Sequence, residues 1–133
     1  MPSTSPSARP DGGRKGRANE SLVVGCLFGL IFLQIVMLAA LFARTEPHPP
    51  PHLAPFIGAG IAVGVFAIPL VWNRLVLGFA AAILFGLFSL MSYGPHKLLV
   101  EAAMQILPAV IVGFALTCVL IVVSIVEIRR GSR

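Results

Sequence analysis

Four long apolar runs, separated by short polar breaks, make up most of this chain. The runs cover residues 21–43, 56–72, 75–93 and 98–126. They are continuously apolar rather than alternating, which predicts helices in lipid and not the strands of a barrel. A helix of about 20 residues crosses the roughly 30 Å hydrocarbon layer of a bilayer. The predicted fold class is therefore an all-α membrane protein with four transmembrane helices.

The fourth run is too long for one upright span, and Pro108 lies inside it. Within a helix a proline removes a hydrogen bond and clashes with an earlier carbonyl, whereas at the first position of a helix it is favourable. We therefore expect a short outer interfacial helix over residues 98–107, followed by a fourth span over residues 108–126. The alternative is one long helix that is tilted and kinked at the proline.

Basic residues lie mostly on one side of the predicted spans. Of the ten Lys and Arg residues, only Arg44 and Lys97 fall on the side opposite the termini. Because Lys and Arg accumulate in cytoplasmic loops, both termini are expected in the cytoplasm and the protein in a bacterial inner membrane. The first run is longer than the apolar region of a signal peptide, so it is predicted to remain as a span.

Composition agrees with this topology, at 57% hydrophobic and 11% charged residues, because so short a chain could not hide that much apolar surface in a soluble core. Residues 1–20 have little apolar content and predict a disordered basic cytoplasmic tail. Residues 21–128 are expected to form a four-helix transmembrane domain, and residues 129–133 a second basic tail. The prolines of residues 44–55 predict an extended loop. The net charge of +5 is assigned to membrane orientation and anionic lipid, with no nucleic-acid partner.

Glycines spaced by four occur in two spans, and Gly78 and Ala82 form a weaker version of the same pattern in the third. Gly25 and Gly29 form such a pair in the first span, and Gly60 and Gly64 form another in the second. Glycines at this spacing share one helix face and allow another helix to approach closely. They are candidate helix-packing residues, within the chain or between copies. The alternative is that glycine is simply tolerated in lipid.

Gln34, Glu101 and Gln105 are candidate intramembrane polar residues. Gln34 lies in the middle of the first span, and Ser89 is predicted at a similar depth in the third. A hydrogen bond between them is the simpler interpretation, and a pathway lining is the alternative. Glu101 and Gln105 share one face near the outer surface, which a polar stripe on an interfacial helix explains. A proton or cation role for Glu101 is the alternative.

No nucleotide-binding loop or metalloprotease or hydrolase motif occurs in the sequence, so neither a catalytic residue nor a cofactor is expected. His48, His52 and His96 fall on the predicted outer side. On an extended proline-rich path His48 and His52 would lie about 12 Å apart, which argues against a shared metal ion. Cys26 and Cys118 lie inside apolar runs and are expected to pack as small hydrophobic residues.

The preferred functional hypothesis is an accessory or assembly subunit of a membrane complex that acts through helix packing. It rests on the glycine faces, the short loops and the scarcity of charge inside the runs. Its expected partners are the lipid bilayer and other membrane protein subunits or further copies of the chain. The alternative is a small oligomeric transporter or channel. Small multidrug exporters have a similar size and number of spans, but they rely on an acid deep in the first span, which this first span lacks. A membrane-permeabilising protein is a third hypothesis.

Overall fold

The computed structural model describes residues 12–45, 49–93 and 103–131. This part of the chain is helical, and each of its four long helices contains a stretch long and apolar enough to cross a membrane. The prediction of an all-helical chain with four helices of membrane-spanning length is confirmed. The helices are α1 (Gly12–Ala43), α2 (Ala54–Trp72), α3 (Val76–Tyr93) and α4 (Ala103–Gly131).

The helices form a ring, each packing against its neighbour in the chain and α4 packing back against α1. Short connections make consecutive helices antiparallel neighbours. The ring closes at the end where α1 begins and α4 ends, since Asn19 of α1 donates a hydrogen bond of 2.5 Å to Glu127 of α4. We call this end of the molecule the terminal end. The opposite end, where α1 stops and α2 begins, is called the loop end.

Helix α1 begins at Gly12, inside the segment that composition predicts to be disordered. A nucleated helix extends at the cost of ordering only one residue for each added hydrogen bond. Two side chains of this extension also find tertiary partners, because Asn19 bonds Glu127 and Glu20 pairs with Arg74. The disorder predicted for residues 12–20 is thus corrected to helix, and residues 1–11 lie outside the described part of the chain.

Helix α4 continues without a break through Pro108 to Gly131, so the predicted helix boundary at this proline is corrected. The missing N–H of Pro108 removes only the bond to Met104, near the helix start, and membrane helices tolerate such a loss. Residues 103–107 belong to the same helix as the rest of α4, and residues 129–131, predicted as a tail, are also helical. Residues 98–102 lie outside the described residues, so a separate interfacial helix is not confirmed.

An arginine with positive φ follows the last turn of both α1 and α2. These residues are Arg44, with a φ of 52°, and Arg74, with a φ of 58°. After α2, the N–H of Arg74 donates to Val71 at 2.9 Å and that of Leu75 donates to Leu70 at 2.9 Å. This pair of bonds is the Schellman arrangement, which satisfies carbonyls at a helix end. The tight turn brings α3 directly back along α2.

The loop between α1 and α2 is less extended than its prolines predict. Pro51–Leu53 form one 3₁₀ turn that leads straight into α2. Proline has a φ close to the helical value and needs no N–H partner in the first turn of a helix, so it is compatible with this start. Residues 46–48 of the same loop lie outside the described residues.

Apolar side chains fill the interior and also cover the outside of the ring. Leu27, Phe85 and Leu120 are fully buried, whereas Phe32 and Phe66 are 66% and 60% exposed. Large exposed apolar surfaces are rare on soluble monomers, but they are the normal lipid-facing surface of a membrane protein. Both faces of the helices therefore suit an integral membrane protein.

Candidate functional site

The glycines predicted in α2 lie between that helix and both of its neighbours. A Cβ atom built on Gly60 would lie 3.1 Å from Oε1 of Gln34 in α1. A Cβ atom on Gly64 would lie 3.0 Å from Cγ1 of Ile31 in α1 and 3.0 Å from the ring of Phe85 in α3. The absence of side chains at both positions lets α1 and α3 approach α2 closely.

The two glycines predicted in α1 differ from each other. A Cβ atom built on Gly29 would lie 3.0 Å from Cδ1 of Leu116 in α4, whereas one on Gly25 would have no neighbouring atom within 4 Å. Gly29 is therefore part of the contact between α1 and α4. Gly25 faces open space and takes no part in packing within the described chain.

Three glycine contacts are tighter still, and of these only Gly78 belonged to a predicted pair of small residues. A Cβ atom on Gly113 would lie 2.6 Å from the ring of Tyr93, one on Gly86 would lie 2.8 Å from Ile121, and one on Gly78 would fall on the backbone of α2. Gly78, Ala82 and Gly86 are spaced by four along α3. That spacing is the signal that could have identified Gly86, and Ala109, Gly113 and Thr117 show the same spacing in α4.

Gln34 is the central polar side chain, and it is 1% exposed. Its Nε2 donates a hydrogen bond of 3.1 Å to Oγ of Ser89, which is fully buried in α3. The bond predicted from matching depths is therefore present. Oε1 of Gln34 is buried and has no hydrogen-bond partner. The pair joins α1 to α3 through neutral groups that exchange a hydrogen bond but carry no charge.

The side chains of the other two predicted polar residues lie outside the described part of the structure. Glu101 lies outside the described residues, and Gln105 belongs to the first turn of α4. Among the remaining buried polar groups, Thr117 donates a hydrogen bond of 2.7 Å from Oγ1 to the carbonyl of Gly113 in its own helix. Oγ of Ser124 is buried without a hydrogen-bond partner. Over the described residues, few polar contacts therefore connect the helices in the interior.

The Gln34→Leu substitution is expected to change the free energy of unfolding by less than about 1 kcal/mol, because cross-helix hydrogen bonds in membranes average about 0.6 kcal/mol. It also removes the unpartnered Oε1. Ser89→Ala is expected to cost more, about 1–3 kcal/mol, because it leaves a buried amide donor without its acceptor. Unfolding by SDS titration in mixed micelles measures both. A larger loss for Gln34→Leu than for Ser89→Ala would contradict this account of the pair.

A groove of about 740 Å³ opens at the terminal end, beside α1 and the turn between α2 and α3. At its polar end Nε of Arg74 pairs with Oε1 of Glu20 at 2.7 Å, and the Glu20 side chain is only 17% exposed. We call it the terminal groove and define it by six of the residues that line it: Arg17, Glu20, Gly25, Phe28, Trp72 and Arg74. The ion pair ties the turn after α2 to the first third of α1.

The other polar contact at the terminal end centres on Glu127. Its Oε1 accepts hydrogen bonds from Asn19 of α1 at 2.5 Å and from Arg130 of α4 at 3.0 Å. Neither this contact nor the ion pair of the terminal groove was predicted from the sequence. Both depend on which helix ends meet, and a single sequence carries no signal of that.

The described residues contain no group of three or more His, Cys, Asp or Glu side chains that could hold a metal ion. His52 lines a cavity of about 270 Å³ at the loop end together with Met37 and Met91, while His48 and His96 lie outside the described residues. Cys26 is buried and Cys118 is exposed, both as free thiols.

The geometry therefore offers a filled apolar interior, one central hydrogen bond between neutral groups and an amphipathic groove at the terminal end. The chain matches no protein-family model, no curated protein and no solved structure.

Proposed function

We propose that this protein is an accessory or assembly subunit of a membrane complex and that it acts through helix packing in the bilayer. The observation that carries the proposal is an open face of small residues on α2. A Cβ atom on Gly58 would meet no atom within 4 Å, and Ala62 and Val65 on the same helix face are exposed. Small residues four apart let another transmembrane helix come close, where van der Waals packing holds it.

One face of α2 packs inside this chain, and the opposite face is left open for a partner. Gly60 and Gly64 lie on the face that packs against α1 and α3. Gly58 and Ala62 lie on the opposite face, because an α-helix turns through about 100° per residue. The partner that fits the open face is a transmembrane helix of another subunit, or a further copy of this chain, surrounded by lipid.

The interior also supports a packing role over a transport role. Fully buried Leu30, Phe85 and Leu120 occupy it, and the amide of Gln34 bonds within the protein. The proposal places a four-helix bundle in a bacterial inner membrane with both termini in the cytoplasm, on the strength of the charge distribution. It includes no catalytic step and no cofactor, since the sequence carries no catalytic motif.

Purification of the C-terminally tagged protein in mild detergent, with mass spectrometry and native mass of the eluate, tests this function. We expect a stoichiometric complex with another membrane protein. The Gly58→Leu variant is expected to lose that partner while keeping its own fold, because a Cβ atom at this position meets no described atom within 4 Å. Gly25→Leu, at an equally open glycine of α1, is the matched control and should keep the partner. A wild-type eluate that contains only the monomer would refute the proposal.

The alternative is a small oligomeric transporter or channel, and the buried, unpartnered Oε1 of Gln34 favours it. Such an acceptor could hold a water or cation on a path through the membrane. A homo-oligomer without another protein, together with vesicle permeability lost in Gln34→Leu, would support this alternative over the accessory role.

A further inference from the structure

The terminal groove is amphipathic along its length. Its polar end is formed by Arg17, Glu20 and Arg74, and its apolar end runs along α1 past Gly25 to Phe28. We propose that this groove binds one anionic phospholipid of the surrounding leaflet. The phosphate would lie at Arg17 and Arg74, and one acyl chain would lie along Gly25 and Phe28. This inference goes beyond the proposed packing function and does not depend on it.

The charges at the polar end favour an anion. The carboxylate of Glu20 balances one of the two arginines, and Arg17 is exposed and makes no ion pair with a described residue. The pair with Glu20 uses Nε of Arg74, which leaves the terminal nitrogens of a side chain that is 55% exposed for a second acceptor. Guanidinium groups bind phosphate through two parallel hydrogen bonds.

The apolar end has the shape that a hydrocarbon chain needs. At Gly25 a Cβ atom would meet nothing within 4 Å, so the missing side chain leaves a channel along the surface of α1. Phe28, 57% exposed, lies one turn further along, and Trp72, 71% exposed, stands beside the two arginines. Tryptophan is enriched at the headgroup level of membranes, which matches a phosphate site at this height.

A phospholipid explains both ends of the terminal groove, and other occupants explain only one. A free phosphate would leave the channel at Gly25 empty. An apolar transmembrane helix would fill the channel but would bury Arg17 without a counter-charge, which is costly in a membrane. A volume of about 740 Å³ lies within the usual range for small-molecule sites.

Two substitutions separate the two halves of the site. Gly25→Leu adds a side chain to the apolar end at a position where its Cβ atom meets no described atom within 4 Å. Arg17→Gln removes a positive charge without breaking an ion pair with a described residue. Gly58→Leu is the control for the first, since that glycine is equally open on another helix. Lys15→Gln is the control for the second, because Lys15 is exposed on α1 but does not line the terminal groove.

The test is native mass spectrometry of the full-length protein in micelles with equimolar dioleoyl phosphatidylglycerol and dioleoyl phosphatidylcholine. We expect one phosphatidylglycerol to be retained by the wild type and by both controls. Arg17→Gln should weaken retention roughly fivefold, and Gly25→Leu should reduce it to the level of phosphatidylcholine. If Gly25→Leu does not fold, Arg17→Gln against Lys15→Gln decides the question.

Equal retention of the two lipids by the wild type would overturn the proposal, as would unchanged retention in Arg17→Gln or in a folded Gly25→Leu. Loss of a protein partner in Gly25→Leu with lipid retention intact would assign the terminal groove to that partner instead. The lipid site and the packing function fail separately, because Gly58→Leu is expected to lose the partner and keep the lipid.

Discussion

The Gly78→Ala substitution is expected to destabilise the fold by about 3 kcal/mol, the upper end of the usual cost of overpacking. The added methyl group would fall on backbone atoms of Leu70 and Val71 in α2. A flexible side chain could rotate away from such a clash, but backbone atoms inside a helix move only with the helix. To accommodate the methyl group, α2 and α3 would have to separate next to the three-residue turn that joins them.

Gly58→Ala is the matched control, because it adds the same methyl group to a helix where no atom lies within 4 Å. The control is expected to leave stability unchanged or to raise it by up to about 1 kcal/mol, since alanine favours helix over glycine. Unfolding by SDS titration in mixed micelles compares the two variants with the wild type. Equal stability of the two variants would show that α2 and α3 do not meet closely at Gly78.

The Phe85→Ala substitution is expected to cost about 2 kcal/mol, less than the 3–5 kcal/mol typical of soluble cores. Phe85 is fully buried in α3, and its ring lies 3.0 Å from where a Cβ atom of Gly64 would be. In a bilayer the separated helices also keep this ring out of water, so only the packing part of the usual cost is lost.

Phe32→Ala provides the control for Phe85→Ala. Phe32 lies in α1 and is 66% exposed, so its removal should change the stability of the isolated protein by less than about 0.5 kcal/mol. The same detergent titration measures both variants. A similar loss at the two positions would mean that Phe85 does not occupy the interior of the ring.

The candidate site was predictable where it depends on depth in the membrane. Gln34 and Ser89 lie at matching distances from the starts of the first and third apolar runs, which cross the membrane in the same direction. Their hydrogen bond of 3.1 Å is present. The ion pair of Glu20 with Arg74 was not predictable in the same way. Glu20 falls in a segment whose composition indicates disorder, and its helical state depends in part on the partner that the turn after α2 supplies.

The glycines show a second limit of prediction from the sequence. Gly25 and Gly29 have the same spacing as Gly60 and Gly64, yet Gly25 alone of the four faces open space. Spacing by four places two residues on one helix face, but it does not say whether another helix covers that face along its whole length. That depends on how far the neighbouring helices and turns extend.

The number of helices, their approximate limits and their membrane-like composition follow from the sequence alone, because a bilayer requires about 20 continuous apolar residues for each span. Which face of each helix lies inside follows only from how the helices pack. Phe32 and Phe85 are equally apolar, yet one is exposed and the other buried. Lipid and apolar side chains are similar solvents, so hydropathy does not distinguish the two faces. Close packing at Gly64, Gly78 and Gly113 does, because the missing side chains let a neighbouring helix approach on that face.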